Sequence, residues 1–330
     1  MAGPRYGRRR ERGLLAGLSR LLGELRSPNT PRAKFIVITL AILVFSSLSL
    51  GALGAFFLVR AMSPLQAGET IDPTHFLGNA RTLEFTGPDG LPRNGWFFPG
   101  LRTAPVLVLC HGYKSSRSEI LTLATSLQQH RYNVFVFNFA GHGESPVGYT
   151  TLGIKEAEEL HAAIDMLAQR TDMDITRIGL WGYSMGGYAV LQVASHSPRV
   201  QAIVVDSGYP SPAALLRIEL RNLGAGTLPL LEELTILEFR VVSLFLGDTS
   251  DVRGDLSRLT GVSKLFIVGD DAPRLGALTQ ELHAASPPPK ELVVLPRTNL
   301  ATLLEEDRRN YENLVVSFFL RALPLDGAGR

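Results

Sequence analysis

The chain has 330 residues, 45% hydrophobic and 19% charged, with a net charge of +2. That is enough to bury the core of one large domain or two small ones. A balance this close to neutral excludes an overall field that would gather nucleic acid, and no nucleic-acid partner is expected.

The charge is unevenly spread. Residues 1–34 carry nine Arg or Lys against only Glu11 and Glu24. Within them, Leu14, Leu15, Leu18, Leu21, Leu22 and Leu25 recur at helical intervals, with Arg12, Arg20 and Arg26 around that face. This spacing fits a basic amphipathic helix on an inner leaflet, or a short cytosolic helix with no specific contact. Residues 35–59 follow, uncharged from Phe35 to Val59 and bracketed by Lys34 and Arg60. At about 1.5 Å per residue they exceed the roughly 30 Å of bilayer hydrocarbon. A cleaved signal has a shorter apolar region, about 7–15 residues. A single uncleaved transmembrane anchor is therefore expected, with a long signal sequence cut near residues 52–55 or Ala61 as the alternative. The basic flank places the N-terminus in the cytoplasm and everything from about residue 61 on the other side of the membrane.

Residues 60–80 mix Pro, Gly and polar side chains and read as a linker. From 81 to 323 short apolar runs alternate with helical patterns, which predicts an α/β domain with a mostly parallel sheet. The predicted strands are 81–86, 94–98, 105–110, 133–139, 176–181, 200–206, 263–269 and 290–296. The predicted helices are 117–130, 153–170, 185–197, 274–285 and 307–322. Residues 210–258 interrupt the alternation with a Leu-rich helical stretch. Its position predicts a cap with an apolar underside over the strand ends, where such sheets bind ligands. A lipid, peptide or other small-molecule ligand under that cap, and the membrane through residues 35–59, are the expected partners. Residues 324–330 form a tail. The single cysteine, Cys110, cannot form an internal disulfide and ends an apolar strand.

The chemistry centres on "GYSMGG". Ser184 follows the strand "RIGLW" and opens the helix "MGGYAVLQVAS". A sharp strand-to-helix turn exposes a serine as a nucleophile, and Gly182 and Gly186 leave room for it. Upstream, "CHGYKSS" ends a buried strand at His111 and Gly112. The backbone N–H of Tyr113 is expected to pair with that of Met185 as an oxyanion hole. His111 and His142 are expected to order their loops. The other histidines show no metal-ligand spacing, so neither a metal nor a cofactor is expected.

These pieces, with "NFAGHGES", "TTLGIKEAEELHAAIDML" and "VVDSGYPSP", occur in the order and spacing of a known superfamily. The chain resembles the α/β-hydrolases, and within them the Bem46-like and serine aminopeptidase-like serine hydrolases. The resemblance implies an eight-stranded sheet with helices on both faces and hydrolysis of an ester or amide by a Ser–His–acid triad. It also exposes departures. Where the family writes an acid after the seventh strand, this chain reads "GDDAPRL", and without gaps Ala272 takes that place. Asp271, on a re-registered loop, and Asp206, after the sixth strand, are the two candidate acids. Where the family writes a histidine after the last strand, "PRTNLATLLEED" puts Leu300 in its place with Asn299 beside it. A serine without a base is a poor nucleophile. The expectation is a serine hydrolase with weak or lost turnover, or alternatively an inactive pseudohydrolase that binds or scaffolds.

Overall fold

The structure is a computed structural model that describes residues 30–64, 80–145, 148–247 and 249–325. The predicted amphipathic helix before the anchor, most of the linker with His75, and most of the tail lie outside the described residues. The chain divides into two compact units whose boundary falls between Phe56 and Phe57.

The first described element is a helix, α1 (Pro31–Met62), of 32 residues. At 1.5 Å per residue it is about 48 Å long. Its most apolar window has a mean hydropathy of 2.4 with none of it buried. It is long and apolar enough to cross a bilayer.

The second unit holds an eight-stranded sheet in the order β1-β2-β4-β3-β5-β6-β7-β8. The strands are β1 (Arg81–Thr86), β2 (Pro92–Phe98), β3 (Pro105–Cys110), β4 (Asn133–Phe137), β5 (Asp174–Tyr183), β6 (Val200–Asp206), β7 (Ser263–Gly269) and β8 (Lys290–Leu295). β2 pairs antiparallel with β1 and β4, and the remaining pairs are parallel. The central strands β3 and β4 are buried at every position, as parallel strands covered on both faces must be. The hairpin turn before β2 closes through Gly87 N–H to Leu91 O (2.9 Å) and an Arg93–Asp89 ion pair (2.8 Å).

The covering helices are α2 (Leu121–Gln129), α3 (Ile154–Ala168), α4 (Met185–Ala194), α7 (Pro273–Ala285) and α8 (Glu305–Ala322). The predicted helix 117–130 opens as a 3-10 turn over Arg117–Ile120 before α2 begins. Leu123 and Leu127 of α2 and Tyr311, Val315 and Phe319 of α8 share one apolar cluster with Leu107 and Leu109 of β3. The interrupting segment forms two helices, α5 (Pro212–Asn222) and α6 (Pro229–Ser243), each opened by a proline whose missing N–H costs nothing there. The sheet winds outward in both directions from the β3/β5 pair, so the crevice at the carboxyl ends of those two strands is the natural ligand site.

Candidate active site

Ser184 stands at the end of β5 with φ 50° and ψ −108°, a backbone region that costs a non-glycine residue of order 1–3 kcal/mol. The turn is held by Ser184 N–H donating to Asp206 O of the neighbouring strand (2.8 Å). α4 begins at the next residue, so the Met185 N–H is one of the amides that has no partner inside its own helix. The helix N-terminus adds a partial positive charge at the same point. Tyr113 follows Gly112 off the end of β3, the strand beside β5, which brings the two expected oxyanion donors to the ends of adjacent strands. The Tyr113 hydroxyl donates to Ala61 O (2.7 Å).

A cleft of about 470 Å³ opens over the serine. Its lining includes Tyr113, Ser184, Asp271 and Asn299 from the sheet ends, Lys114 and Arg274 at its sides, and Leu215, Ile218, Glu219 and Asn222 from α5. The cap segment therefore does face the serine, but its underside is mixed rather than apolar. The cause is Lys114, whose Nζ binds Glu219 across the cleft at 2.6 Å. Asn222 donates to the same carboxylate (3.3 Å). Nothing local in the sequence pointed to this pair, since its members are 105 residues apart.

Leu300, expected at the histidine's position, is buried in the cluster formed by α2, α8 and β3. Its neighbour Asn299 lines the cleft with Ser184 and Asp271. A tight turn separates the two. Asn299 O accepts from Thr302 N–H (2.9 Å) and its side-chain oxygen from Ala301 N–H (3.1 Å), so successive residues point to opposite sides and the leucine takes the apolar side.

The two candidate acids are sorted by burial. Asp271 lines the cleft, and its carboxylate folds back over Gly269 to accept from Thr298 N–H (3.3 Å). A Cβ on Gly269 would sit 2.2 Å from the Asp271 carboxylate. Asp206 is fully buried beneath the elbow. It accepts from the Tyr311 hydroxyl (2.7 Å) and the Ser207 hydroxyl (2.9 Å), and Trp181 Nε1 donates to Tyr311 in turn (3.1 Å). Burial pushes the Asp206 carboxyl up to about 7, against the hydrogen bonds from Tyr311, Ser207 and Thr298 that pull it down.

That shift has a sign. Between the ordinary carboxylate range near 3.8 and about 7, the folded state holds a proton that the unfolded state has released. Stability therefore falls as pH rises through this window and levels off above it. Glu159 acts in the same direction, raised to about 7 mainly by burial despite its ion pair with Arg93. Asp206→Asn is expected to remove its own share of the slope, on the order of 2 kcal/mol between pH 5 and 8, and leave that of Glu159. Denaturant unfolding followed by the emission of Trp181, which sits in the same network, measures it. An unchanged slope in the variant would show that Asp206 does not titrate there.

No histidine among the described residues lines the cleft. His111 is buried, with Nδ1 donating to Gly112 O (2.8 Å) and Nε2 accepting from Phe139 N–H (3.0 Å). Both ring nitrogens are committed, and burial depresses its pKa to about 3. His142 packs against it with ring centroids 5.2 Å apart and donates from Nδ1 to Ala140 O (2.9 Å). Burial lowers its pKa as well. Both fit the loop-ordering role that the sequence suggests. In the same loop, Asn138 Oδ1 accepts from Arg117 N–H (2.8 Å), a neutral tie.

A sheet of this order, with a strained serine between the fifth strand and its helix, defines the α/β-hydrolase fold. A family model described as alpha/beta hydrolase fold matches residues 105–256. The protein YfhR of Escherichia coli K12 is 30% identical over 145 residues, 42% of this chain and 50% of YfhR. The chain thus spans about half the length of that relative. The polyketide transferase GrgF of a Penicillium species is 31% identical over 126 residues, 37% of this chain and 42% of GrgF. Among solved structures, the Pyrococcus furiosus esterase Pf2001 superposes with a TM-score of 0.61 at 22% identity, covering 80% of this chain and 99% of the esterase. The chain has the α/β-hydrolase fold, and the stretch that carries the elbow matches the family model of that fold.

Proposed function

We propose that this chain is a membrane-anchored serine hydrolase that acts slowly on an ester or amide. Ser184 is the nucleophile, the N–H groups of Tyr113 and Met185 hold the oxyanion, and Asp271 is the acid. Asp206 is set aside because it is sealed under the elbow and committed to Tyr311 and Ser207. α1 is the anchor, with the basic N-terminal segment in the cytoplasm and the hydrolase domain on the far side. The observation that carries the proposal is Ser184, Asp271 and Asn299 on the wall of one cleft. Two of the three triad positions hold suitable groups, and the third holds an amide that cannot take a proton. The fold likeness to an esterase supports acyl chemistry at this position. Catalysis by the oxyanion hole and binding alone retains about 10³–10⁴ over water, so turnover is expected to be slow rather than absent.

The absence of a histidine from the cleft, among the described residues, favours a second reading: a binding module that holds an ester-like ligand without cleaving it. Incubation of the full chain with a fluorophosphonate, followed by intact mass, separates the two. Covalent addition over hours that disappears in Ser184→Ala is the expected result. Folded wild-type protein that never acquires the adduct would leave only the binding reading.

A further inference from the structure

α6 is apolar on both sides. Leu231, Thr235, Ile236 and Phe239 are buried against the domain. On the other side, Leu230, Leu234, Leu237, Val241, Leu244 and Phe245 follow at steps of four, three, four, three and one, a single stripe along the helix and the turn that ends it. Phe245 and Leu244 are the most exposed large apolar side chains outside α1, at 85% and 79%. The acids of the first turn are drawn to the other side: Glu232 and Glu233 bind Arg217, and Glu232 also binds Arg221, both arginines belonging to α5. Burial raises the pKa of Glu238, which makes that carboxyl easier to neutralise in apolar surroundings. A helix buried on its inner side that also carries an exposed apolar stripe, with Glu233 and Arg240 along one margin, calls for a second non-aqueous cover over that stripe.

The position of the stripe identifies the second environment. Residues 57–62, the last turns of α1, belong to the same unit as α6. Met62 O accepts from Thr150 N–H (2.8 Å), four residues before α3 begins. The end of α6 meets the same segment, where a Cβ on Gly247 would touch Ile154 (3.3 Å) and Glu158 (2.8 Å) of α3. The end of the membrane-length helix and the end of the stripe are thus both tied to residues 150–158, beside the half-exposed Tyr149. We infer that the α6 stripe docks into the interfacial layer of the bilayer that α1 spans, to a depth of roughly 5–10 Å as such helices do. The inference rests on the reading of α1 as a membrane span. It assigns the cap a second task, fixing the domain against lipid, that neither the elbow nor the cleft requires.

The test uses the full chain in phosphatidylcholine vesicles, with an environment-sensitive fluorophore on Leu237→Cys or Phe245→Cys and, as reference, on Arg309→Cys of α8. The native Cys110 is buried and its thiol is pushed up by burial, so it stays unlabelled. Both stripe positions are more than half exposed, so substitution there removes no packing. With iodide on both sides of the bilayer, the stripe probes are expected to shift to the blue, lose iodide quenching and be quenched by acyl-chain nitroxide lipids, while the reference stays in water. Stripe probes that remain open to iodide in a chain that floats with the vesicles overturn the docking and leave the anchor standing. Protection from iodide without nitroxide quenching means a protein cover, such as a second copy, and also overturns it. A chain that does not float overturns both readings.

Discussion

Asn299→His is expected to raise esterase turnover by about 10²–10⁴, the usual worth of a positioned general acid–base. Asn299 lines the cleft with Ser184 and Asp271, at the turn after β8. Its amide oxygen can accept a hydrogen bond but cannot remove a proton from a serine hydroxyl. An imidazole there titrates near 6.5 and can do both halves of the proton transfer. The present side chain also caps its own turn through Ala301 N–H, a bond worth about 1 kcal/mol, so the variant should remain folded at a small cost in stability. Hydrolysis of p-nitrophenyl esters by wild type and variant measures the gain.

Three controls bind the gain to the proposed roles. Adding Ser184→Ala must abolish it. Adding Asp271→Ala must remove most of it, whereas Asp206→Asn must leave most of it, because Asp206 is closed off beneath the elbow. The pH profile carries a sign: the base works only when neutral, so activity of the variant should rise as pH passes up through about 6.5. A folded Asn299→His protein with no gain at any pH would remove Asn299 from the base position and with it the assignment of Asp271.

The sheet was legible because its strands are short runs of β-branched and aromatic residues separated by helical periods. All eight predicted strands appear, four of them with ends moved by a residue or two. β4 stops at Phe137 rather than 139, and β5 runs on to Tyr183. The elbow was legible because a strand, two spaced glycines and a helix agree over a short stretch. After β8, gapless counting ignores the turn that Asn299 caps and so does not report which residue faces the cleft. Side-chain chemistry was the better guide there, since of the pair Asn299 and Leu300 the leucine belongs to the core. The Lys114–Glu219 pair and the Asp206–Tyr311–Trp181 chain were not legible at all. Each joins residues more than a hundred positions apart, and no local period reports such a contact.

Gly186→Ala is expected to prevent folding, with a loss of more than about 4 kcal/mol, the range reached only by severe backbone or core conflict. A Cβ at Gly186 would lie 2.2 Å from Cys110 O and 2.7 Å from His111 O. Cys110 cannot yield, because it pairs on both sides as the last residue of the central strand β3. The next glycine gives the contrast. A Cβ at Gly187 would lie 3.2 Å from Gly182 O and Val205 Cγ1. That strain relaxes over a few tenths of an ångström and is offset by the roughly 1 kcal/mol that alanine gains over glycine inside a helix. Gly187→Ala should therefore unfold within a few degrees of wild type, at about 2–4 °C per kcal/mol for a domain of this size. Thermal unfolding of the two variants decides the matter, and a Gly186→Ala protein that melts near wild type would refute the steric account. The clash lies between α4 and β3, away from any proton transfer. The spacing of Gly182 and Gly186 is thus demanded by docking a helix this close to a strand. That demand persists whether or not a histidine follows β8, so the two glycines report the fold directly and do not by themselves report catalysis.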